Sequence, residues 1–276
     1  MLYSCRMNIT PCLGIGDLLI LKMIQISNNL VINCININHD LIKQFCENYE
    51  QKIKTITKII QLLFPDTAYY INNHPINFDS IIKTYKIKQT YMYDHINTVN
   101  FINIKNEHSD YIIFHTKLRH DTLIARFHKE IMNELRHFLS NFASSKKILL
   151  LGERSVGKNL ETRTHGTTHL YDVLLLLKNN NCVIDLTHDV LTCGNPDFNI
   201  FLHDVQLVHN ASCNITFGIG GPFNICKSFS KNNISFIPFY DSCPCKHIID
   251  QMNIIDNTII DNMADFKSRL KTNFGH

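Results

Sequence analysis

Apolar and polar residues alternate with two different periods along this chain, and the alternation predicts helices and strands in turn. From His39 to Phe64 apolar residues recur at steps of three and four, which is typical of a helix, and Pro65 ends it. Short apolar runs between polar or glycine-rich segments predict buried strands. The predicted strands are 1–10, 30–35, 67–71, 111–115, 147–151, 182–186, 214–217 and 234–238; the predicted helices are 18–24, 39–64, 78–85, 122–142, 169–177, 197–210, one after Pro222, and 256–272. Because strands and helices alternate, the pattern predicts an α/β fold with parallel sheets and helices on both faces.

Two glycine turns stand where a strand gives way to a helix. In the second half of the chain the predicted strand 214–217 is followed by Gly218, Gly220, Gly221 and Pro222. Glycine allows a close backbone approach, and a helix that begins directly afterwards presents N–H groups to an anion, usually a phosphate. The alternative is a tight turn without a ligand.

The other glycine turn lies near the start of the chain and ends in an acidic residue. Gly14 and Gly16 precede Asp17, and an apolar helix follows. Two such turns, one in each half, predict two α/β units that face each other across a cleft. Asp17 is expected to cap its helix, which is the commoner role, or to act at the cleft as the general base toward an acceptor hydroxyl.

Two cations, Lys117 and Arg119, follow the predicted strand 111–115 in a polar turn. Ligands of α/β proteins bind at this edge of the sheet, where the two side chains could neutralise a diphosphate leaving group. A solvated turn without a ligand is an equally good interpretation.

A further candidate is the segment from Gly152 to Asn159, which approaches the phosphate-loop pattern but has Asn159 in place of the magnesium-binding hydroxyl. It leaves a kinase or nucleotide-hydrolysing enzyme as an alternative.

Composition narrows the classes of function. The net charge is +3 without a basic stripe, which argues against nucleic-acid binding. The sequence has no signal-peptide pattern and no apolar run of about eighteen residues, so neither secretion nor a membrane span is expected. Ten cysteines without paired CxxC knuckles are expected to be reduced thiols, and a structural zinc site is not expected. A cytoplasmic protein is the resulting expectation.

The order of these motifs resembles the two-domain GT-B glycosyltransferases, and within them the ADP-heptose:lipopolysaccharide heptosyltransferase group (glycosyltransferase family nine). The start from Gly14 to Leu19 is similar to the group's Gly-x-Gly-Asp opening, whose aspartate is taken as the acceptor's base. The strand 111–115 with its two cations resembles the start of the donor domain. The runs 149–152 and 183–187 match the next two strands, and 220–224 falls where the group has Asp-Ser-Gly-Pro-x-His. This chain departs there, since Ile219, Gly220 and Asn224 replace the group's aspartate, serine and histidine.

The resemblance implies two Rossmann-like domains with parallel sheets facing across a cleft. The expected divisions are 1–108 on the acceptor side, 109–255 for the donor, and a last helix within 256–276 that packs back toward the first domain. The expected activity is metal-independent transfer of a sugar from a nucleotide-diphosphate sugar to a glycan or other hydroxyl acceptor, without a cofactor. A catalytically silent binding protein remains an alternative. The expected residues are Asp17 as the catalytic residue, Gly14 and Gly16 in the acceptor-side loop, and Lys117, Arg119, Gly152, Glu153, Arg154, Thr187, Gly218, Gly220 and Gly221 around the donor.

Overall fold

The computed structural model describes residues 6–11, 14–45, 48–96, 110–119, 128–152, 154, 167–188, 198–238, 240–242, 246–252 and 257–275. Strands and helices alternate along these segments. The strands are β1 (Arg6–Ile9), β2 (Val31–Asn38), β3 (Ala68–Asn72), β4 (Tyr111–Arg119), β5 (Lys147–Leu151), β6 (Thr167–His169), β7 (Val183–Asp185), β8 (Cys213–Gly218), β9 (Asn233–Phe236) and β10 (Asn257–Ile260). The helices are α1 (Ile15–Asn28), α2 (His39–Phe45), α3 (Tyr49–Leu63), α4 (Phe78–Thr84), α5 (His128–Asn141), α6 (Tyr171–Leu174), α7 (Phe198–Asn210), α8 (Gly221–Phe229), α9 (Lys246–Gln251) and α10 (Met263–Phe274).

The larger sheet contains six parallel strands in the order β10-β9-β8-β4-β5-β7, and the short β6 pairs antiparallel with β4. Counted in chain order, the six parallel strands run 3-2-1-4-5-6 from β7 to β10, which is the strand order of a doubly wound α/β sheet. The strand order reverses between β4 and β8: β5 and β7 are added on one side of β4, and β8, β9 and β10 on the other. Ligands of such sheets bind in the crevice at that point, outside the carboxyl ends of the strands.

The smaller sheet contains β1, β2 and β3, all parallel. Its helices α1 and α3 pack against α7 and α8 of the larger sheet, so one apolar core joins the two. That core contains Ile35 and Leu18 from the first part of the chain together with Leu149 and Val205 from the second. The α/β class with two parallel sheets is therefore confirmed. The predicted division at 108/109 lies outside the described residues.

Three predicted elements differ from the structure. β4 continues to Arg119, because β6 and β8 pair with its second half, so Lys117 and Arg119 lie within the strand rather than in a turn after it. The predicted helix 39–64 is two helices, α2 and α3. The predicted helix 256–272 is instead the strand β10 followed by α10, because residues 257–260 pair with β9 at the edge of the sheet.

The last helix, α10, packs against the larger sheet. Phe266 of α10 is fully buried and contacts the rings of Phe138, Phe217 and Phe236. These residues belong to the second core, on the outer face of the larger sheet. Among the described residues, α10 therefore packs against the larger sheet and α5. Packing of this helix toward the first domain stays a prediction. Among the described residues, no helix is long and apolar enough to cross a membrane.

Candidate functional site

The reversal point of the larger sheet places the segment with Lys117 and Arg119 (the cation segment) next to the glycine turn 218–221. In the parallel ladder between β4 and β8, Leu118 lies opposite Phe217 and Arg119 lies opposite Gly218. On its other side β4 pairs with β6, where Lys117 lies opposite His169. The sequence placed the cation segment and the glycine turn about one hundred residues apart, and the fold makes them neighbours at the carboxyl edge.

The glycine turn has the predicted strand–turn–helix geometry. Gly218 ends β8 with φ 67°, a left-handed conformation that favours glycine. Gly220 is the N-cap of α8, and its lack of a side chain leaves the cap without a side-chain hydrogen bond. The first turn of α8 has no acidic residue, and Pro222 lies within it. The partial positive charge of about half an elementary unit at this helix end is therefore not offset within its own first turn.

The two glycine turns meet. A Cβ placed on Gly16, in the first turn of α1, would lie 2.5 Å from Nδ2 of Asn224, in the first turn of α8. At their other ends both helices contact residues 86–89: Asn28 donates to the carbonyl of Lys86, and the carbonyl of Lys227 accepts from Gln89. The two helices therefore run side by side in the same direction, with their N-termini at the same edge.

Asp17 has the capping geometry. Its Oδ2 accepts a hydrogen bond of 2.9 Å from the N–H of Gly14, three residues earlier. The half-buried carboxylate lies in the first turn of α1, where it offsets the positive end of that helix. The expected cap is thus present, and it leaves α8 as the more electropositive of the two helix ends. A role of Asp17 as a base stays a prediction.

A hydrogen-bonded cluster follows β5 and β7. Asp185, at the end of β7, accepts hydrogen bonds from the backbone N–H and hydroxyl of Thr187 and from the phenol of Tyr171. Thr187 in turn accepts a 2.9 Å hydrogen bond from Nε of Arg154, whose guanidinium carbon lies 5.7 Å from the centre of the Tyr171 ring. Partial burial acts to raise the pKa of Asp185, but the hydrogen bonds from Thr187 and Tyr171 outweigh it and lower the pKa. The sequence named Arg154 and Thr187 as donor contacts, which stays a prediction. It did not single out Tyr171, which lies fourteen residues before its partner Asp185 and has no local signal.

Gly152 is required by the fold itself. Its φ of 116° suits only glycine, and an added Cβ would lie 2.7 Å from Oγ1 of the buried Thr116. The peptide groups next to it bond to the segment after β7: the N–H of Arg154 donates to the carbonyl of His188, and the N–H of His188 donates to Gly152. In a phosphate loop the backbone N–H groups face the phosphates, so the engaged N–H of Arg154 does not favour that alternative. Glu153 and 155–159 lie outside the described residues.

Beneath α8 the sheet carries polar residues that the sequence did not single out. His115 of β4 is buried, and its Nε2 lies 3.2 Å from Sγ of Cys226 on α8. Burial lowers the pKa of His115 to about 4, against a hydrogen bond with Asn214 that acts to raise it. Burial also raises the pKa of the Cys226 thiol. The pair is therefore neutral at pH 7, with neither a thiolate nor an exposed nucleophile.

A separate cavity of about 340 Å³ lies at the opposite edge of the larger sheet. Its lining includes Tyr93, His209 and Lys231, near the end of α8. In its wall Tyr93 stacks on His209 with 3.7 Å between ring centres. In the described parts of the chain, no three His, Cys, Asp or Glu side chains are grouped so that they could hold a metal ion.

Comparison with known proteins found no matching family model, no matching curated protein and no matching solved structure.

Proposed function

We propose that this chain binds a nucleoside diphosphate at the carboxyl edge of the larger sheet and uses the nucleotide-sugar form as a glycosyl donor. The observation that carries the proposal is the position of the glycine turn 218–221: it begins α8 at the reversal point of the sheet, opposite Arg119. Helix N-termini and backbone N–H groups bind phosphates, and this is the crevice where doubly wound sheets bind nucleotides.

The first sheet supports the transfer step of the proposal. The start of α1 lies against the start of α8, so an acceptor bound beside Gly14 and Gly16 would approach a donor bound at 218–221. Asp17 is the carboxylate at this junction. Its Oδ2 accepts the cap bond from Gly14, and the residue is half-buried. In this proposal it accepts the proton of the acceptor hydroxyl as the sugar–phosphate bond breaks, while the turn and Lys117 stabilise the departing diphosphate.

A binding test separates this site from a plain turn. A Cβ on Gly221 would meet no described atom within 4 Å, so Gly221→Val should leave the thermal melt nearly unchanged. The added side chain would occupy the space in front of the helix N-terminus. We expect calorimetric titration with UDP, GDP and ADP to show binding of at least one of them, and Gly221→Val to weaken it at least about tenfold, which is about 1.4 kcal/mol.

The smaller Gly221→Ala provides a graded control and should weaken binding less than Gly221→Val. Equal affinity in all three proteins would place the nucleotide elsewhere and return the turn to a purely structural role. Loss of binding in Lys158→Ala with full binding in Gly221→Val would favour the phosphate-loop alternative.

A further inference from the structure

The cluster after β5 and β7 has a defined direction of hydrogen bonding. An ionised carboxylate only accepts, so the Thr187 hydroxyl must donate to Asp185, and its lone pair then faces Nε of Arg154. The phenol of Tyr171 donates to the other oxygen of Asp185 at 2.7 Å, and its ring lies beside the guanidinium. Asp185 thus fixes two groups, and each of them contacts Arg154.

This arrangement orients an exposed arginine. Thr187 is 6% exposed, whereas Arg154 belongs to the exposed residues at the same edge. A long, flexible side chain normally loses much conformational freedom when it binds a ligand, and prior fixation reduces that cost. The Nε bond and the ring contact restrain the guanidinium plane before any ligand arrives.

The position of the cluster sets which part of a nucleotide it can reach. From β8 the strand order passes through β4 and β5 to β7, three steps of about 4.8 Å each, or roughly 14 Å. A diphosphate at the glycine turn cannot span that distance by itself. The nucleoside end of an extended nucleotide can.

We infer that Arg154, held by Asp185 through Thr187 and Tyr171, donates to a carbonyl oxygen of the nucleotide's base; this inference rests on the proposed function. A guanidinium has only donors, and guanine and uracil present carbonyl oxygens to it whereas adenine presents none. The cluster then selects GDP or UDP over ADP. Asp185, Thr187 and Tyr171 are positioning residues that act through Arg154.

The test compares GDP, UDP and ADP by calorimetry on the full chain and its variants. Arg154→Ala should weaken the preferred carbonyl-bearing nucleotide about tenfold and leave ADP within about twofold. Thr187→Val keeps the side-chain shape but removes the hydroxyl, so it should reproduce most of that loss of affinity. Thr187→Ser keeps the hydroxyl and should retain the wild-type affinity. Asp185→Asn should weaken binding in the wild-type background and change nothing further in Arg154→Ala, because the two act as one unit.

Each other outcome overturns the inference in an identifiable way. Equal losses for all three nucleotides in Arg154→Ala would assign the arginine to the ribose or phosphates. Additive effects of Asp185→Asn and Arg154→Ala, with a lowered melting temperature, would reduce Asp185 to a structural residue. Binding that Gly221→Val abolishes but these variants leave unchanged would refute this inference and keep the proposed function. Absence of binding by the wild type would overturn both.

Discussion

Gly16 offers the sharpest test of how the two sheets are joined. It lies in the first turn of α1 with helical backbone, where replacement of glycine by alanine normally stabilises a helix by up to about 1 kcal/mol. Here, however, the new Cβ would lie 2.5 Å from Nδ2, 3.5 Å from Cγ and 3.6 Å from Cβ of Asn224. Asn224 is only 7% exposed, so its amide has little room to rotate away. Overpacking of this kind costs about 1–3 kcal/mol.

The steric cost therefore exceeds the helix gain, and Gly16→Ala should lower the free energy of unfolding by about 1 kcal/mol. In a chain of this size the melting temperature should fall by about 2–4 °C. The matched background is Asn224→Ala, which removes the obstructing amide; there Gly16→Ala should stabilise the protein by a few tenths of a kcal/mol or more. Urea unfolding of the four proteins measures the coupling. An equal effect of Gly16→Ala in both backgrounds would show that α1 and α8 do not meet at this point.

Three further predictions follow from individual side chains. The pKa of His115 is about 4 in the folded chain and near 6.5 when unfolded, so the unfolded state gains a proton first as the pH falls. The free energy of unfolding should therefore drop by about 3 kcal/mol between pH 6.5 and 4. Urea unfolding at several pH values should show a flatter slope for His115→Gln. Asp17→Asn retains an oxygen that can accept from Gly14, so it should melt near the wild type and bind nucleotide normally. Its turnover with an identified acceptor should fall about a hundred- to ten-thousand-fold. Turnover within a few fold of wild type would leave Asp17 as a cap alone. Lys117→Ala should weaken nucleotide binding more at low salt than at high salt, because salt screens the charge. Lys178, an exposed lysine before β7, is the control, and Lys178→Ala should leave binding unchanged. Equal effects of the two variants would mean only a general electrostatic attraction.

Local patterns in the sequence predict most elements of the fold. Alternating periods located five of the seven described strands of the larger sheet, all except β6 and β10. The strand–glycine–helix order at 214–225 was correct because each step has its own local signal. The extent of β4 was not predictable in this way. Thr116 to Arg119 read as a polar turn, and only pairing with β6 and β8 makes them a strand. β10 was missed for the same reason, since its partner β9 supplies the hydrogen bonds that decide it.

The sequence named some residues of the candidate site as expected donor contacts, but it did not contain their arrangement. That Arg119 lies opposite Gly218 follows from strand order, which no local pattern contains. The contact between Gly16 and Asn224 depends on the packing of two helices from different sheets. Tyr171 was not predictable, because an isolated tyrosine at the start of a short helix belongs to no motif. Only its hydrogen bond to Asp185 shows that it belongs to the cluster. The polar layer of His115 and Cys226 was hidden in apolar runs.

A structure of the chain crystallised with saturating UDP, GDP or ADP tests the central claim most directly. The account predicts a diphosphate in front of the N-terminus of α8, between the turn 218–221 and the end of β4, with its nucleoside directed toward Arg154. A nucleotide bound at the segment 152–158, or at the cavity beside Tyr93 and His209, would contradict it.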